Sequence, residues 1–162
     1  HYYGEYHPYH GGNNPGFNNF SRKILDLKED RNDAVDYFYK LLKNVDFDAT
    51  EAIVIVPSHS PSKHSYAIQE LALRLAEKNN WIDATECVIR THKINKLASG
   101  GNRDKRVHLE SIAIEKKSLI YGKNVLVFDD VTTSGNSLYA VMEILKQNNA
   151  KSTWAYAVAS TI

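Results

Sequence analysis

Val125-Leu126-Val127-Phe128-Asp129-Asp130-Val131-Thr132-Thr133-Ser134-Gly135-Asn136-Ser137 is the stretch whose reading decides the fold. Four apolar residues after Asn124 suit a strand over Asn124 to Phe128, buried on both faces of a parallel sheet. Two carboxylates follow, then a turn of small and hydroxyl side chains, then Leu138, Val141, Met142 and Leu145 at the spacing of one helix face. Ligands of open α/β sheets bind outside the carboxyl ends of the strands, so Asp129 and Asp130 are expected beside a ligand, where they can accept hydrogen bonds from vicinal ribose hydroxyls. Between Thr132 and Ser137, Gly135 permits a tight bend, so that N–H groups and hydroxyls converge on one phosphate at the positive end of the next helix. Two other readings compete: a strand end that binds nothing, and the acidic strand of a P-loop nucleotidase. The chain has no G-x-x-x-x-G-K-[ST], which leaves the second without its phosphate cradle.

Working outward, Ala52 to Val56 is a second apolar, β-branched run, closed by Pro57. Ile68, Leu71, Ala72, Leu75 and Ala76 mark the helix after it, and Thr85 to Ile89, Ile112 to Ile114 and Thr153 to Ala159 are further strands. Upstream, Ala34, Phe38, Leu41, Leu42 and Val45 predict a helix over about 33 to 44 capped by Asp33, with a shorter turn of helix carrying Ile24, Leu25 and Leu27. His1 to Phe20, rich in Gly, Asn, Tyr and His, reads as loop with aromatic anchors. Arg90 to Arg106 reads as a polar, mobile loop around Ser99-Gly100-Gly101-Asn102. Strands alternating with helices give an α/β fold with a mainly parallel sheet and right-handed crossovers. No repeat or linker divides the chain, so residues 1–162 are expected to form one domain.

Composition narrows the function classes. Hydrophobic residues make up 43% and charged residues 24%, with no apolar run of membrane-spanning length. Lys and Arg total 20 against 19 Asp and Glu, so no global field draws the protein to nucleic acid or anionic lipid, and any anion site is local. The lone Cys87 forms no internal disulfide, and the cytoplasm is the expected compartment. Whether residues precede His1 is left open. His1, His7 and His10 lack the ordered spacing of a metal site and read as surface histidines, while Trp81 and Trp154 read as packing residues.

The run Val125 to Ser137 resembles the phosphoribosyl pyrophosphate signature of type I phosphoribosyltransferases, departing from it at Thr132, where that family usually carries an aliphatic residue. The resemblance implies a core over residues 50–162 and a small N-terminal hood over residues 1–49 that reads the acceptor. It implies substrate contacts from Asp129, Asp130, Val131, Thr132, Thr133, Ser134, Gly135, Asn136 and Ser137. It also implies a pyrophosphate loop at Pro57 to Lys63, with Ser58, His59 and Ser60 as contacts and a strained backbone, often a cis peptide not preceding proline, between Ser58 and Ser60. Arg90 to Arg106 is then the loop that closes over the substrate, and one or more of Arg90, Lys93, Lys96, Arg103 and Arg106 meets the diphosphate, Arg103 and Arg106 being the preferred catalytic pair. Arg106-Val107-His108-Leu109 is similar to a short segment of the competence-associated branch, and the amidophosphoribosyltransferase-like branch is grouped with it.

The activity so implied is Mg²⁺-dependent displacement of pyrophosphate from phosphoribosyl pyrophosphate by a nitrogen nucleophile, with Asp129 and Asp130 holding the ribose first and the metal second, directly or through water. The rival from another class is a non-catalytic module that binds phosphoribosyl pyrophosphate or a nucleotide 5′-phosphate, as a regulatory subunit of a larger assembly or as a homodimer. Nothing in Tyr2 to Phe20 spells out the acceptor.

Overall fold

The computed structural model describes residues 1–94 and 105–162. Its elements in chain order are β1 (Tyr2–Tyr6), α1 (Asn19–Lys28), α2 (Asn32–Leu42), β2 (Ala52–Ile55), α3 (Tyr66–Asn79), β3 (Ile82–Asp83), β4 (Val88–Arg90), α4 (Lys105–Glu110), β5 (Ile112–Ile114), β6 (Asn124–Thr132), α5 (Asn136–Gln147) and β7 (Ser152–Thr161). Five strands form one sheet in the order β1-β7-β6-β2-β3, every neighbouring pair parallel. β4 and β5 form a separate antiparallel ribbon.

Period-two alternation sorts the central strands onto two cores. Ile53, Ile55, Leu126, Phe128 and Val158 pack under α1, α2 and α3, whereas Val54, Val125, Val127 and Ala157 pack under α5 and the ribbon. Phe38, Phe128, Ile53, Leu71, Leu126 and Leu145 are fully buried, each stabilising the fold by about 1.5–3 kcal/mol. From β2 the chain crosses through α3 to β3 on one side, and from β6 it crosses through α5 to β7 on the other. Helices on opposite faces, with crossovers running in opposite directions, are what a single crossover hand requires. The direction of winding therefore reverses between β2 and β6, which opens a crevice at their carboxyl ends.

The short turn of helix expected around Ile24, Leu25 and Leu27 is a full helix, α1, and three further expectations change. Tyr2–Tyr6 is a strand and not loop: aromatic side chains favour extended backbone, and the carboxyl half of β7 offers it an open edge. Its central Gly4 lets Phe20 lie against the backbone, for a Cβ there would stand 2.7 Å from Phe20 Cζ. Asp33 does not cap α2, which starts after Arg31 without a side-chain cap; Asp33 sits in the first turn and pairs with Lys23 at 2.7 Å. Thr85 and Cys87 belong to the turn that leads into β4, because Asp83 captures both the N–H and the hydroxyl of Thr85 and bends the chain there.

Residues 1–49 share the first core: Tyr6, Ile24, Leu27, Val35, Phe38 and Leu42 pack in the same cluster as Leu71 and Phe128. No helix among the described residues is long and apolar enough to cross a membrane.

The Phe20 ring is held between Tyr3, stacked at 6.4 Å, and Phe38, edge-on at 5.5 Å, so it has little room to yield. Gly4→Val is expected to destabilise the fold by about 1–3 kcal/mol through overpacking, read from urea denaturation midpoints at unchanged slope.

Candidate functional site

β6 outlasts β2. Ile55 pairs with Phe128, and Val56 N–H donates to the Phe128 carbonyl at 3.1 Å; beyond that point β6 runs on against β7 alone, with Asp129 opposite Ala157 and Thr132 opposite Ser160. The strand is thus longer than Asn124 to Phe128, and the acid pair lies on its free flank, where β2 has turned away.

A cleft of about 450 Å³ occupies this position. Of the residues singled out in the sequence, Asp129, Asp130, Val131, Thr133, Ser134, Ser137, Ser58, His59 and Arg90 line it. Thr132, Gly135 and Asn136 do not, and Ser60 lines a second cleft of about 340 Å³ next to the first. Thr133 and Ser134 are exposed, and the Thr133 hydroxyl donates to Thr161 Oγ1 at 3.1 Å. Gly135, at φ 78°, supplies the left-handed residue on which α5 starts, and a side chain there would meet the Tyr139 ring.

The two acids differ. Alternation turns Asp130 toward the α1 side, where Lys28 Nζ lies 3.7 Å from its Oδ2 and 6.0 Å from the centre of the Tyr6 ring. Asp130 Oδ1 accepts from Val131 N–H at 2.6 Å, and Asp129 Oδ1 accepts from Asp130 N–H at 2.9 Å. Burial is the largest influence on the Asp129 carboxyl and the neighbouring Asp130 charge the next; together they push it well above the ordinary carboxylate range, against the opposing Asp130 N–H bond and Lys28. The Asp129 carboxyl is therefore held toward its neutral form, by burial first and by the Asp130 charge second.

The loop after β2 departs from expectation. No cis peptide occurs between Ser58 and Ser60, and none of Ser58, His59 and Ser60 has a positive φ. Hydrogen bonds shape it instead: the Ser58 hydroxyl donates to the carbonyls of Ser60, at 3.1 Å, and Lys63, and Lys63 N–H donates to the Ser60 carbonyl. The segment lacks the cis peptide implied for a pyrophosphate loop. Arg90 is buried on β4, where it donates to the carbonyls of Ser58 at 2.9 Å and Pro57 at 3.2 Å and to Ser111 Oγ. It braces the loop from beneath.

Arg106 is not in a loop. It lies exposed on α4, which packs along α5 through an ion pair between Lys105 and Glu143, and it does not line the cleft. Arg103, Lys96 and Gly100-Gly101 lie outside the described residues, and with them most of the expected closing loop. Tyr6, Lys28, Asp30, His64 and His108 line the cleft without having been singled out as site residues. For Lys28 and Asp30 the one available signal is the charged corner Lys28-Glu29-Asp30-Arg31; nothing local says that this corner stands over β6. Asp30 accepts from Ala67 N–H at 2.8 Å and so ties the corner to the start of α3. Among the described residues no group of three or more His, Cys, Asp or Glu is placed to hold a metal ion unaided.

No protein-family model and no curated protein sequence matches the chain. Solved structures share its fold. The glutamine phosphoribosylpyrophosphate amidotransferase of B. subtilis, complexed with ADP and GMP, superposes with a TM-score of 0.52 at 15% identity over 76% of this chain and 26% of its own. A structure described as the allosteric regulatory enzyme of purine biosynthesis gives a TM-score of 0.51 at 15% identity over 76% of this chain and 25% of its own. The chain thus spans about a quarter of the length of these two neighbours. Its fold is α/β of the type I phosphoribosyltransferase kind.

Because its folded-state carboxyl is raised, Asp129 contributes no penalty below the unfolded-state value and an increasing one as pH rises through the folded value. Asp129→Asn is therefore expected to raise the melting temperature of the ligand-free protein at pH 7–8, with the difference closing below about pH 4, as followed by calorimetry across that range. Arg90→Met is expected to cost about 2–3 kcal/mol of stability, because three acceptors lose a charged donor, read from chemical denaturation.

Proposed function

We propose that this chain is a phosphoribosyltransferase-like protein that binds phosphoribosyl pyrophosphate with Mg²⁺ and transfers the phosphoribosyl group to a nitrogen nucleophile. One observation carries the reading: the acid pair with the hydroxyl turn that follows it, and the loop after β2, far from them in sequence, line one cleft at the point where the sheet reverses its winding. The neighbours' fold supports it, since one of them is named for phosphoribosyl pyrophosphate.

In this reading the 5-phosphate lies against the Ser134 and Ser137 hydroxyls, beside the start of α5. Asp129 and Asp130 accept from the ribose hydroxyls. The diphosphate lies toward Ser58 and His59, whose loop Arg90 holds in shape. In the reaction the nucleophile's lone pair forms a bond to the anomeric carbon as the bond to the diphosphate oxygen breaks, the electron pair leaves on pyrophosphate, and the proton shed by the nitrogen passes to solvent. The chain's part is to hold ribose and leaving group in line. Asp129 and Asp130 would fit a hard divalent ion: they are adjacent oxygen donors at the cleft, and such an ion keeps waters and takes substrate oxygens. A divalent ion held by Asp129 and Asp130 would supply charge neutralisation on the diphosphate.

The wall made by Tyr6, Lys28 and Asp30 is the part of the N-terminal hood that faces the cleft, and it is where the acceptor is read. A regulatory module that binds the same ligand without turnover is separated by one experiment. With Mg²⁺ and phosphoribosyl pyrophosphate present, pyrophosphate release is followed across purines, pyrimidines and ammonia; binding without release throughout the series makes the chain a sensing module.

Changing Asp129 and Asp130 together to Asn is expected to weaken phosphoribosyl pyrophosphate binding by about two orders of magnitude, the loss of two charge-assisted contacts, with the circular dichroism spectrum unchanged. Equal affinity in calorimetry rules the acids out as ribose ligands.

A further inference from the structure

Four side chains beside the cleft form a hydrogen-bond relay whose direction is set at one end. The Asp83 carboxylate only accepts, so the Thr85 hydroxyl at 2.7 Å must donate to it. With its proton spent there, Thr85 Oγ1 accepts from Gln69 Nε2 at 3.2 Å. That contact fixes the Gln69 amide, so its carbonyl oxygen is the atom facing His64 Nε2, and Nε2 carries the proton it donates. Histidine tautomers follow from the bond made by the other ring nitrogen. Nδ1 is consequently the ring atom left for a ligand, and among the described residues it has no protein partner. The ring is further held edge-on by Tyr66, with centroids 4.3 Å apart.

His64 lines both clefts, at the junction between the Pro57–Lys63 loop and α3. In the first cleft it shares the wall with Lys28 and Asp30 from the α1–α2 corner and with His59 and Lys63 from its own loop. Asp30 is engaged by Ala67 N–H and Lys28 by Asp130. In the second it shares the wall with Arg90 from β4, Glu86 from the turn before it, and Glu115 and Lys116 after β5. Arg90 is committed to the loop carbonyls, and Lys116 to Glu86 at 2.6 Å.

We propose that His64 is a further ligand-contacting residue of this cleft, oriented by the Asp83–Thr85–Gln69 relay so that it meets a diphosphate through Nδ1 and takes up a proton as it does so. The proposal rests on reading the cleft as a phosphoribosyl pyrophosphate site. Its logic is donor bookkeeping: an anion needs a donor, the only N–H of the neutral ring is already given to Gln69, and so contact through Nδ1 requires the second proton. Histidine is the side chain suited to that change near neutral pH. Asp83, at the far end of the relay, stabilises the resulting cation through the aligned dipoles of Thr85 and Gln69.

The test is calorimetric titration of the protein with inorganic pyrophosphate in the presence of Mg²⁺, near pH 7.5, in two buffers of different ionisation enthalpy, which reads affinity and protons exchanged. Magnesium pyrophosphate titrated into buffer alone supplies the blank for its own protonation. The wild-type protein is expected to take up protons on binding. His64→Asn is expected to abolish that uptake and weaken binding about tenfold, the loss of one charge-assisted hydrogen bond. Gln69→Leu, which frees the ring without removing it, is expected to weaken binding several-fold and reduce the uptake. His64→Asn with wild-type affinity and proton count overturns the inference while leaving the cleft reading intact. Wild-type binding without proton uptake overturns the relay's role. Failure of the wild-type protein to bind either pyrophosphate or phosphoribosyl pyrophosphate overturns both.

Discussion

The structure depends on an inequality between two neighbouring strands. β2 stops at Ile55, and β6 continues to Thr132 because β7 goes on pairing with it. If β2 extended as far as β6, the Asp129 and Asp130 backbones would be bracketed on both flanks and no crevice would exist. The chain turns away at Pro57, into the loop whose Pro57 and Ser58 carbonyls are held by Arg90. On the other flank β1 lends its support by pairing with β7 from Ala157 to Thr161, along the reach where β6 needs a stiff partner. The site is thus held up by an N-terminal strand two positions away in the sheet.

That arrangement concentrates electrostatic tension in one place. Two adjacent carboxylates at the end of a buried strand repel each other and lose water, and the fold offers one lysine across 3.7 Å in partial return. Stability is therefore given up at this point of the fold. Arg90, by contrast, shows a buried charge with its donors matched to fixed carbonyl and hydroxyl acceptors, and its work is to shape the loop beside the acids. A cation's place in a charge-rich segment does not reveal whether it serves a ligand or the backbone; the acceptors around it do.

Local sequence determined the elements whose residues carry their own periodicity or punctuation. Ala52 to Ile55, the helix of Ile68, Leu71, Ala72 and Leu75, the ribbon strand Ile112 to Ile114, and the strand, acids and glycine turn from Val125 to Gly135 were all legible, because burial on two faces, helical spacing and a left-handed turn each demand particular residue types at fixed intervals. Tertiary structure alone decided the rest. Tyr2–Tyr6 became a strand because β7 left an edge for it, and a glycine in its middle was tolerated because Phe20 fills the space above. Arg106 entered a helix through packing against α5, and the loop after β2 took its shape from side-chain hydrogen bonds and from Arg90, without a cis peptide. Lys28, Asp30 and His64 reached the cleft through the crossing of α1 and the start of α3 over the end of β6. Such positions are set by contacts between residues far apart in the chain, and no local pattern of amino acids encodes them.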